Sequence, residues 1–150
     1  MPTKKPIFYF NNDKDNEIKA GGTLFYFYDK KQNTLKFLMI KCFEKYEDFG
    51  GKTEINDIDI ISTICREVEE ESNFIFKKDN LSKRIKGLKP LYTKNSKYLI
   101  YLCKLTDDED YDTEIFGDKE IYENIPRTVE WISYKELCTS DFIKNKLHFR

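Results

Sequence analysis

Three hydrophobic runs in the sequence have the length of buried β-strands. They span residues 23–28, 35–40 and 98–103. Aromatic and aliphatic side chains occupy most of their positions, as in strands that are covered on both faces. Polar, turn-forming residues separate the first two runs, so these two predict a β-hairpin. Shorter apolar segments that predict further strands lie at residues 7–10 and 129–133.

One segment has the periodicity of an amphipathic helix. Its apolar side chains recur at offsets of three, four and seven residues, at Ile61, Ile64, Cys65 and Val68. Such a spacing places them on one side of a helix, which predicts a buried stripe. The residues that favour a helix start are Asn56, Asp57 and Asp59. The helix is expected to end near Asn73, since asparagine tolerates the left-handed conformation.

Strands that surround one amphipathic helix predict an α+β fold, arranged as an α/β/α sandwich with a central mixed β-sheet. Phe142, Ile143 and Leu147 indicate a short helix near the C-terminus. The chain has no internal repeat and no linker-like segment, so residues 1–150 are expected to form a single domain. With 39% hydrophobic and 15% aromatic residues, the chain can bury a full core, which excludes a disordered protein.

The charge balance excludes a global attraction to nucleic acid or to an anionic membrane. Lys and Arg total 26 against 27 Asp and Glu, which gives a formal net charge of −1. No run approaches the ~18 apolar residues of a membrane helix, and no apolar segment follows the lysines of residues 1–6. We therefore expect a soluble, cytoplasmic protein without a membrane partner.

The cysteines do not have the spacing of a metal site. There are four, far apart in the sequence and without a Cys-x-x-Cys pair, and the only histidine is His148. This pattern predicts neither a zinc knuckle nor a disulfide scaffold. Free buried thiols are the expectation.

Three glutamates share one face of the predicted helix. Glu67, Glu70 and Glu71 stand at positions i, i+3 and i+4, and this face points away from the apolar stripe. Carboxylates this close repel one another, and Mg²⁺ or Mn²⁺, which prefers oxygen ligands, would remove the repulsion. The alternative is a solvated helix surface on which Arg66 pairs with a neighbouring glutamate.

A double-glycine turn precedes this helix. Gly50 and Gly51 lie between Phe49 and Lys52. Because glycine has no side chain, the backbone here can approach a ligand closely and aim a carbonyl at a bound ion. The turn and the carboxylate face together predict a metal site that binds a phosphate-containing substrate.

The segment from Gly51 to Phe74 resembles the Nudix box. That pattern is a glycine, five residues, a glutamate, seven residues, Arg-Glu, an apolar residue, any residue, Glu-Glu, any residue, a glycine and an apolar residue. Residues 66–74 read Arg-Glu-Val-Glu-Glu-Glu-Ser-Asn-Phe, which matches the second half except that Asn73 replaces the glycine. The first half is one residue longer, and either Asp57 or Asp59 replaces its glutamate.

The resemblance extends beyond the box, over residues 20–140. Gly21 and Gly22 precede an aromatic strand that is similar to the opening strand of the family, and residues 129–137 resemble its late strand and short helix. The resemblance implies the Nudix α/β/α sandwich, Mg²⁺ or Mn²⁺ as cofactor, and hydrolysis of a diphosphate that is linked to another moiety.

Roles of individual residues follow from the resemblance position by position. Glu70 and Glu71 correspond to the principal metal ligands, and Gly50 would offer its backbone carbonyl. Glu67 corresponds to a further ligand or to the base that activates water, with Arg66 orienting it. The catalytic residues implied are therefore Glu67, Arg66 and Glu70.

Members of the family often add a distant carboxylate from the loop before the late strand. The resemblance implies Glu123 as this metal ligand, with Glu120 as the second choice. The acidic stretch that contains Asp112 and Glu114 is expected to be a solvated loop.

The sequence does not decide which compound with a linked diphosphate is the substrate. A nucleoside diphosphate derivative is the first expectation, and the alternatives are the 5′ cap of an mRNA, as in decapping, and a diphosphoinositol phosphate. A non-catalytic nucleotide-binding module is the alternative from another class. The basic residues within 83–97 suit phosphate or RNA contacts, and equally a lysine-rich solvated surface. A homodimer is the commonest assembly for a soluble protein.

Overall fold

The computed structural model describes residues 4–147, so residues 1–3 and 148–150, including His148, lie outside the described part. The strands are β1 (Phe8–Tyr9), β2 (Glu17–Ile18), β3 (Ala20–Asp29), β4 (Thr34–Cys42), β5 (Lys45–Glu47), β6 (Phe49–Lys52), β7 (Leu91–Thr93), β8 (Tyr98–Lys104), β9 (Lys119–Glu120), β10 (Ile125–Pro126) and β11 (Thr128–Ser133). The helices are α1 (Ile60–Glu71), α2 (Lys78–Ile85) and α3 (Tyr134–Leu137), with a π-helical turn at Phe142–Lys146.

A mixed seven-stranded sheet forms the centre of the fold. Its main path runs β11-β4-β3-β8-β7, and β5 and β6 pair with β4 and β3. The hydrophobic runs predicted to form a hairpin are β3 and β4, which pair antiparallel with Tyr26 opposite Phe37. Strand β8 lies parallel to β3 on its other side. The predicted α+β class with a mixed central sheet is confirmed.

Helices cover both faces of this sheet, because alternate residues of its strands are apolar on opposite sides. On one face α1 packs on β3 and β6, over a core that includes Phe25, Phe49 and Val68. On the other face α3 and the π-helical turn cover a second cluster, which includes Met39 and Phe142. We call these the α1 face and the α3 face.

Helix α1, which carries the three candidate glutamates, begins and ends where its sequence predicts. Asp59 is the N-cap, and its side chain accepts a hydrogen bond from the Ser62 N–H at 2.7 Å. The buried stripe is present, with Ile64 and Val68 fully buried. Beyond the last turn Asn73 adopts a left-handed conformation, with φ of 52°, so its predicted role at the helix end is confirmed.

Two helices differ from the sequence-based expectations. Helix α2 was not anticipated, because within its eight residues only Leu81 and Ile85 are buried and the rest is polar. Near the C-terminus the expected helix is a single π-helical turn, after which Leu147 bridges to Tyr46. Within the described residues, no helix has the length and apolar character needed to cross a membrane.

The cysteines within the described residues are all free. Cys65 and Cys103 are buried, as expected, and burial raises the pKa of the Cys65 thiol to about 12. Cys42 is half-buried. The expectation of burial is wrong for Cys138, which is exposed because it follows the end of the short surface helix α3.

Candidate active site

Asp57, and not Asp59, is the carboxylate that pairs with Arg66. Arg66 Nε donates to Asp57 Oδ1 at 3.1 Å, and Nη2 donates to Oδ2 at 3.0 Å. Burial alone would raise the pKa of Asp57, but hydrogen bonds from Arg66 and from the Glu54 N–H hold it below its ordinary value. Because Asp59 is used to cap α1, the two aspartates that the sequence could not tell apart have separate roles.

The guanidinium of Arg66 connects the loop before α1 with the carboxylate face of the helix. Nη2 also donates to the Lys52 carbonyl at 3.1 Å. Nη1 donates to Glu67 Oε1 at 2.9 Å and lies 3.7 Å from Glu70 Oε2. The orientation of Glu67 is therefore tied to Arg66, whereas Glu70 lies beyond hydrogen-bond distance of it.

The predicted double-glycine turn is wrong: Gly50 and Gly51 lie inside strand β6, paired antiparallel with Gly22 and Gly21 of β3. The Gly50 N–H donates to Glu71 Oε1 at 2.6 Å, which connects β6 to the end of the carboxylate face. A Cβ at Gly51 would lie 2.4 Å from Glu67 Cδ. The missing side chain of Gly51 is thus what leaves space for the Glu67 carboxylate.

The carboxylates of this face are largely withdrawn from water. The side chains of Glu67 and Glu70 are 17% and 13% exposed. Burial raises the pKa of Glu67, and burial together with the charge of Glu67 raises the pKa of Glu70 to about 7. These raised pKa values indicate that Arg66, the arginine in contact with both side chains, does not fully neutralise their charge, which favours the binding of a cation.

Both candidates for the distant carboxylate lie near this face. Glu120, in β9, is buried, and Glu123 is exposed in the turn before β10. Burial raises the pKa of Glu120, and the charges of Glu123 and Glu67 add to the effect. The charge of Glu123 also raises the pKa of Glu67. Both side chains therefore lie close enough to Glu67 for their charges to interact with it.

Other residues that the sequence marked are used elsewhere. Arg84 of the basic run forms two hydrogen bonds with Glu109, both within 2.8 Å. Asp112 and Glu114 are exposed, as expected for a solvated loop.

Sequence reasoning missed two residues that contact the end of the carboxylate face. Arg127 donates to the Glu71 carbonyl at 2.9 Å. The side chain of Asn73 bonds to the segment that carries Glu120. Asn73 was singled out only for its backbone conformation, and no local pattern marks Arg127, because both act through contacts that are distant in the sequence.

The donor set fits Mg²⁺ or Mn²⁺. Within residues 4–147, no three Asp, Glu, His or Cys side chains already surround one point in the manner of a metal site, and Arg66 Nη1 lies beside both Glu67 and Glu70. The available donors are nevertheless carboxylate oxygens, which these ions prefer. Their mutual repulsion, which contributes to the raised pKa of Glu70, would be relieved by a bound cation.

A pocket of about 350 Å³ opens on the α3 face of the sheet. Its lining is mostly apolar, with Leu24, Met39 and Ile100 from the strands and Leu137 and Ile143 from the C-terminal segment, and Asp48 is part of it. Tyr98 Oη donates to Asp48 Oδ2 at 2.6 Å. That hydroxyl occupies the positions that side chains at Gly22 or Gly50 would take, so it fills the space between Asp48 and these glycines.

No protein-family profile matches the chain, and no curated protein matches its sequence. Solved structures do match. A Caenorhabditis elegans Ap4A hydrolase is 17% identical with a TM-score of 0.52, over 85% of this chain and 89% of that one. A MutT/nudix family protein from Enterococcus faecalis is 16% identical with a TM-score of 0.52, over 77% of this chain and 44% of that one. These likenesses show that the chain has the Nudix fold.

Proposed function

We propose that this protein is a metal-dependent Nudix hydrolase that cleaves a diphosphate linkage in a nucleotide-type substrate. One observation carries the proposal: α1 presents Glu67, Glu70 and Glu71 on one face beside Gly50 and Gly51, and the side chains of Glu67 and Glu70 are largely shielded from water. A merely solvated helix would spread such charges into solvent instead of burying them together.

The carboxylates of Glu67, Glu70 and Glu71 and the carbonyl of Gly50 would hold the metal, with Glu123 or Glu120 as a more distant ligand. When bound, a divalent metal ion neutralises the phosphoryl oxygens and lowers the pKa of bound water.

Glu67 is the residue that we assign to proton transfer. Burial and the surrounding carboxylates raise its pKa, which makes it a stronger base than an exposed glutamate. Arg66 holds its Oε1 at 2.9 Å and is itself fixed by Asp57. The carboxylate is thereby oriented before substrate arrives, and a well-placed general base contributes roughly 10²–10⁴-fold.

The pocket on the α3 face would receive the organic part of the substrate. Its apolar lining suits a nucleoside, and its residue Asp48 is bonded to the Tyr98 hydroxyl, which lies beside Gly50. Glu47 and Asp48 in its lining disfavour a diphosphoinositol phosphate, which carries negative charge around its whole ring. A dinucleoside polyphosphate heads the candidates because one structure of similar fold is an Ap4A hydrolase.

The test is an activity panel with product masses. The protein is incubated with Mg²⁺ or Mn²⁺ and, separately, nucleoside diphosphate derivatives, dinucleoside polyphosphates, diphosphoinositol phosphates and capped RNA. We expect turnover of a nucleotide-type substrate that EDTA abolishes. Absence of turnover throughout, with no metal-dependent thermal shift, would instead support the non-catalytic nucleotide-binding module. A homodimer and a cytoplasmic location stay predictions, and light scattering tests the former.

A further inference from the structure

The side chain of Asn73 makes three hydrogen bonds to one distant segment. Its Nδ2 donates to the carbonyls of Phe116 and Lys119, at 2.8 and 2.9 Å. Its Oδ1 accepts from the Ile121 N–H at 2.9 Å. Both ends of the amide are therefore engaged, and a glycine at this position of the box could make none of these bonds.

Arg127 binds the same segment. This arginine is 5% exposed. Nη1 donates to the Gly117 carbonyl at 2.8 Å, and Nη2 donates at 2.9 Å to the carbonyls of both Phe116 and Glu71. One guanidinium therefore joins residues 116–117 to the last turn of α1.

The segment held in this way carries Glu120. The peptide groups on either side of Glu120 are the ones bound by Asn73, through Lys119 O and Ile121 N. Glu120 itself is 6% exposed. Because the groups on both sides of it are bonded to residue 73, two positions after Glu71, Glu120 lies at the end of α1 that carries the glutamates.

We infer that Asn73, together with Arg127, is a positioning residue that clasps residues 116–121 to the end of α1 and thereby places the Glu120 carboxylate beside the α1 carboxylates as a metal ligand. The inference rests on the proposed function, and it selects Glu120 over Glu123. It also explains why asparagine replaces glycine at residue 73: either residue suits the backbone conformation, but only asparagine supplies the three side-chain hydrogen bonds.

The primary test is Asn73→Gly. Glycine adopts positive φ readily, so the end of α1 is retained while the three side-chain bonds are lost. Binding of Mn²⁺ alone, measured by calorimetric titration without substrate, is expected to weaken about 10-fold or more, as for other groups that hold a metal ligand in place. Amide hydrogen exchange at Ile121 is expected to accelerate.

Asn33→Gly is the matched control. Asn33 also has positive φ, at 49°, and its side chain also accepts a hydrogen bond, from Tyr28. It lies in the turn between β3 and β4, away from the carboxylates. We expect this variant to keep the Mn²⁺ affinity and the Ile121 exchange rate of the parent.

A double-mutant cycle with Glu120→Gln separates positioning from general destabilisation. If Asn73 acts through Glu120, adding Asn73→Gly to Glu120→Gln weakens Mn²⁺ binding little further. Full additivity of the two effects, unchanged Mn²⁺ binding in Asn73→Gly, or unchanged binding in Glu120→Gln would each overturn the inference.

Glu70→Gln distinguishes a failure of the clasp from a failure of the proposed function. If Glu70→Gln weakens Mn²⁺ binding and Asn73→Gly does not, only the clasp is overturned. If Glu70→Gln leaves Mn²⁺ binding unchanged, or the parent binds no Mn²⁺, the proposed function fails and the clasp fails with it.

Discussion

Arg66 and Asp57 stand nine positions apart and face each other through two hydrogen bonds of 3.1 and 3.0 Å. The loop that Asp57 belongs to is one residue longer than the Nudix pattern, whereas its side chain is one methylene shorter than the glutamate of that pattern. The additional residue in the loop thus occurs together with the shorter aspartate side chain, and the carboxylate still reaches Arg66. Arg66 is thereby fixed in the orientation in which it binds Glu67.

Asp57→Asn should destabilise the protein. The Asp57 side chain is 6% exposed, and the change removes the charge that Arg66 and Thr63 bind. We expect a loss of about 1.5–3 kcal/mol in the free energy of unfolding, the usual range for hydrogen bonds to charged groups. Urea denaturation measures it. Asp59→Asn is the control, because asparagine caps helices as well as aspartate does; equal stability of the two variants would contradict the assignment.

Gly51→Ala should impair turnover without unfolding the protein. The new methyl group would overlap the end of the Glu67 side chain, 2.4 Å from Cδ, and a flexible side chain can move away. A carboxylate displaced by about 1 Å costs roughly 10²-fold in rate. Turnover and the melting temperature are compared with those of Gly87→Ala, whose Cβ meets no atom within 4 Å. If Gly51→Ala keeps the turnover of the parent, the position of the Glu67 carboxylate does not matter for catalysis.

Glu70→Gln should strongly reduce activity while the metal-free protein stays at least as stable as the parent. The change removes a largely buried charge from beside Glu67, which relieves repulsion, but it also removes a proposed metal ligand. We expect turnover to fall at least about 10²-fold. Glu44→Gln, at a side chain 90% exposed, serves as the control and should be fully active. Turnover in Glu70→Gln equal to that of the control would remove the proposed site.

The ion pair of Arg84 and Glu109 should make stability fall in acid. Burial alone would raise the pKa of Glu109, but hydrogen bonds from Arg84 and Thr106 lower it below the ordinary 4.5. Since the folded pKa is the lower one, the stabilisation is present above pH 4.5 and is lost as pH falls through the folded pKa.

Urea denaturation between pH 7 and pH 3 tests this sign. Glu109→Gln should be less stable than the parent at pH 7, and the difference should shrink as the pH drops below about 4.5. Asp108→Asn, at an exposed neighbour, should follow the parent at every pH. A difference between parent and Glu109→Gln that stays constant over the whole range would refute the assignment of this pair.

Helix α1, the β3–β4 hairpin and the shared face of the three glutamates could be predicted from the sequence. Each depends on spacing within one segment: the helical repeat of 3.6 residues aligns Glu67 with Glu70 and Glu71, and continuous apolar runs produce buried strands. Helix α2 escaped prediction because two buried side chains in eight residues leave too weak a pattern.

The partner of Arg66, the surroundings of Glu120 and the clasp formed by Asn73 and Arg127 were decided only by the tertiary structure. Asp57 and Asp59 are chemically alike, and only the path of the loop aims one at Arg66 and leaves the other to cap α1. Asn73 meets Ile121 across 48 positions of sequence. Hydrogen bonds of that kind depend on how the sheet and the helix pack, and no local periodicity encodes them.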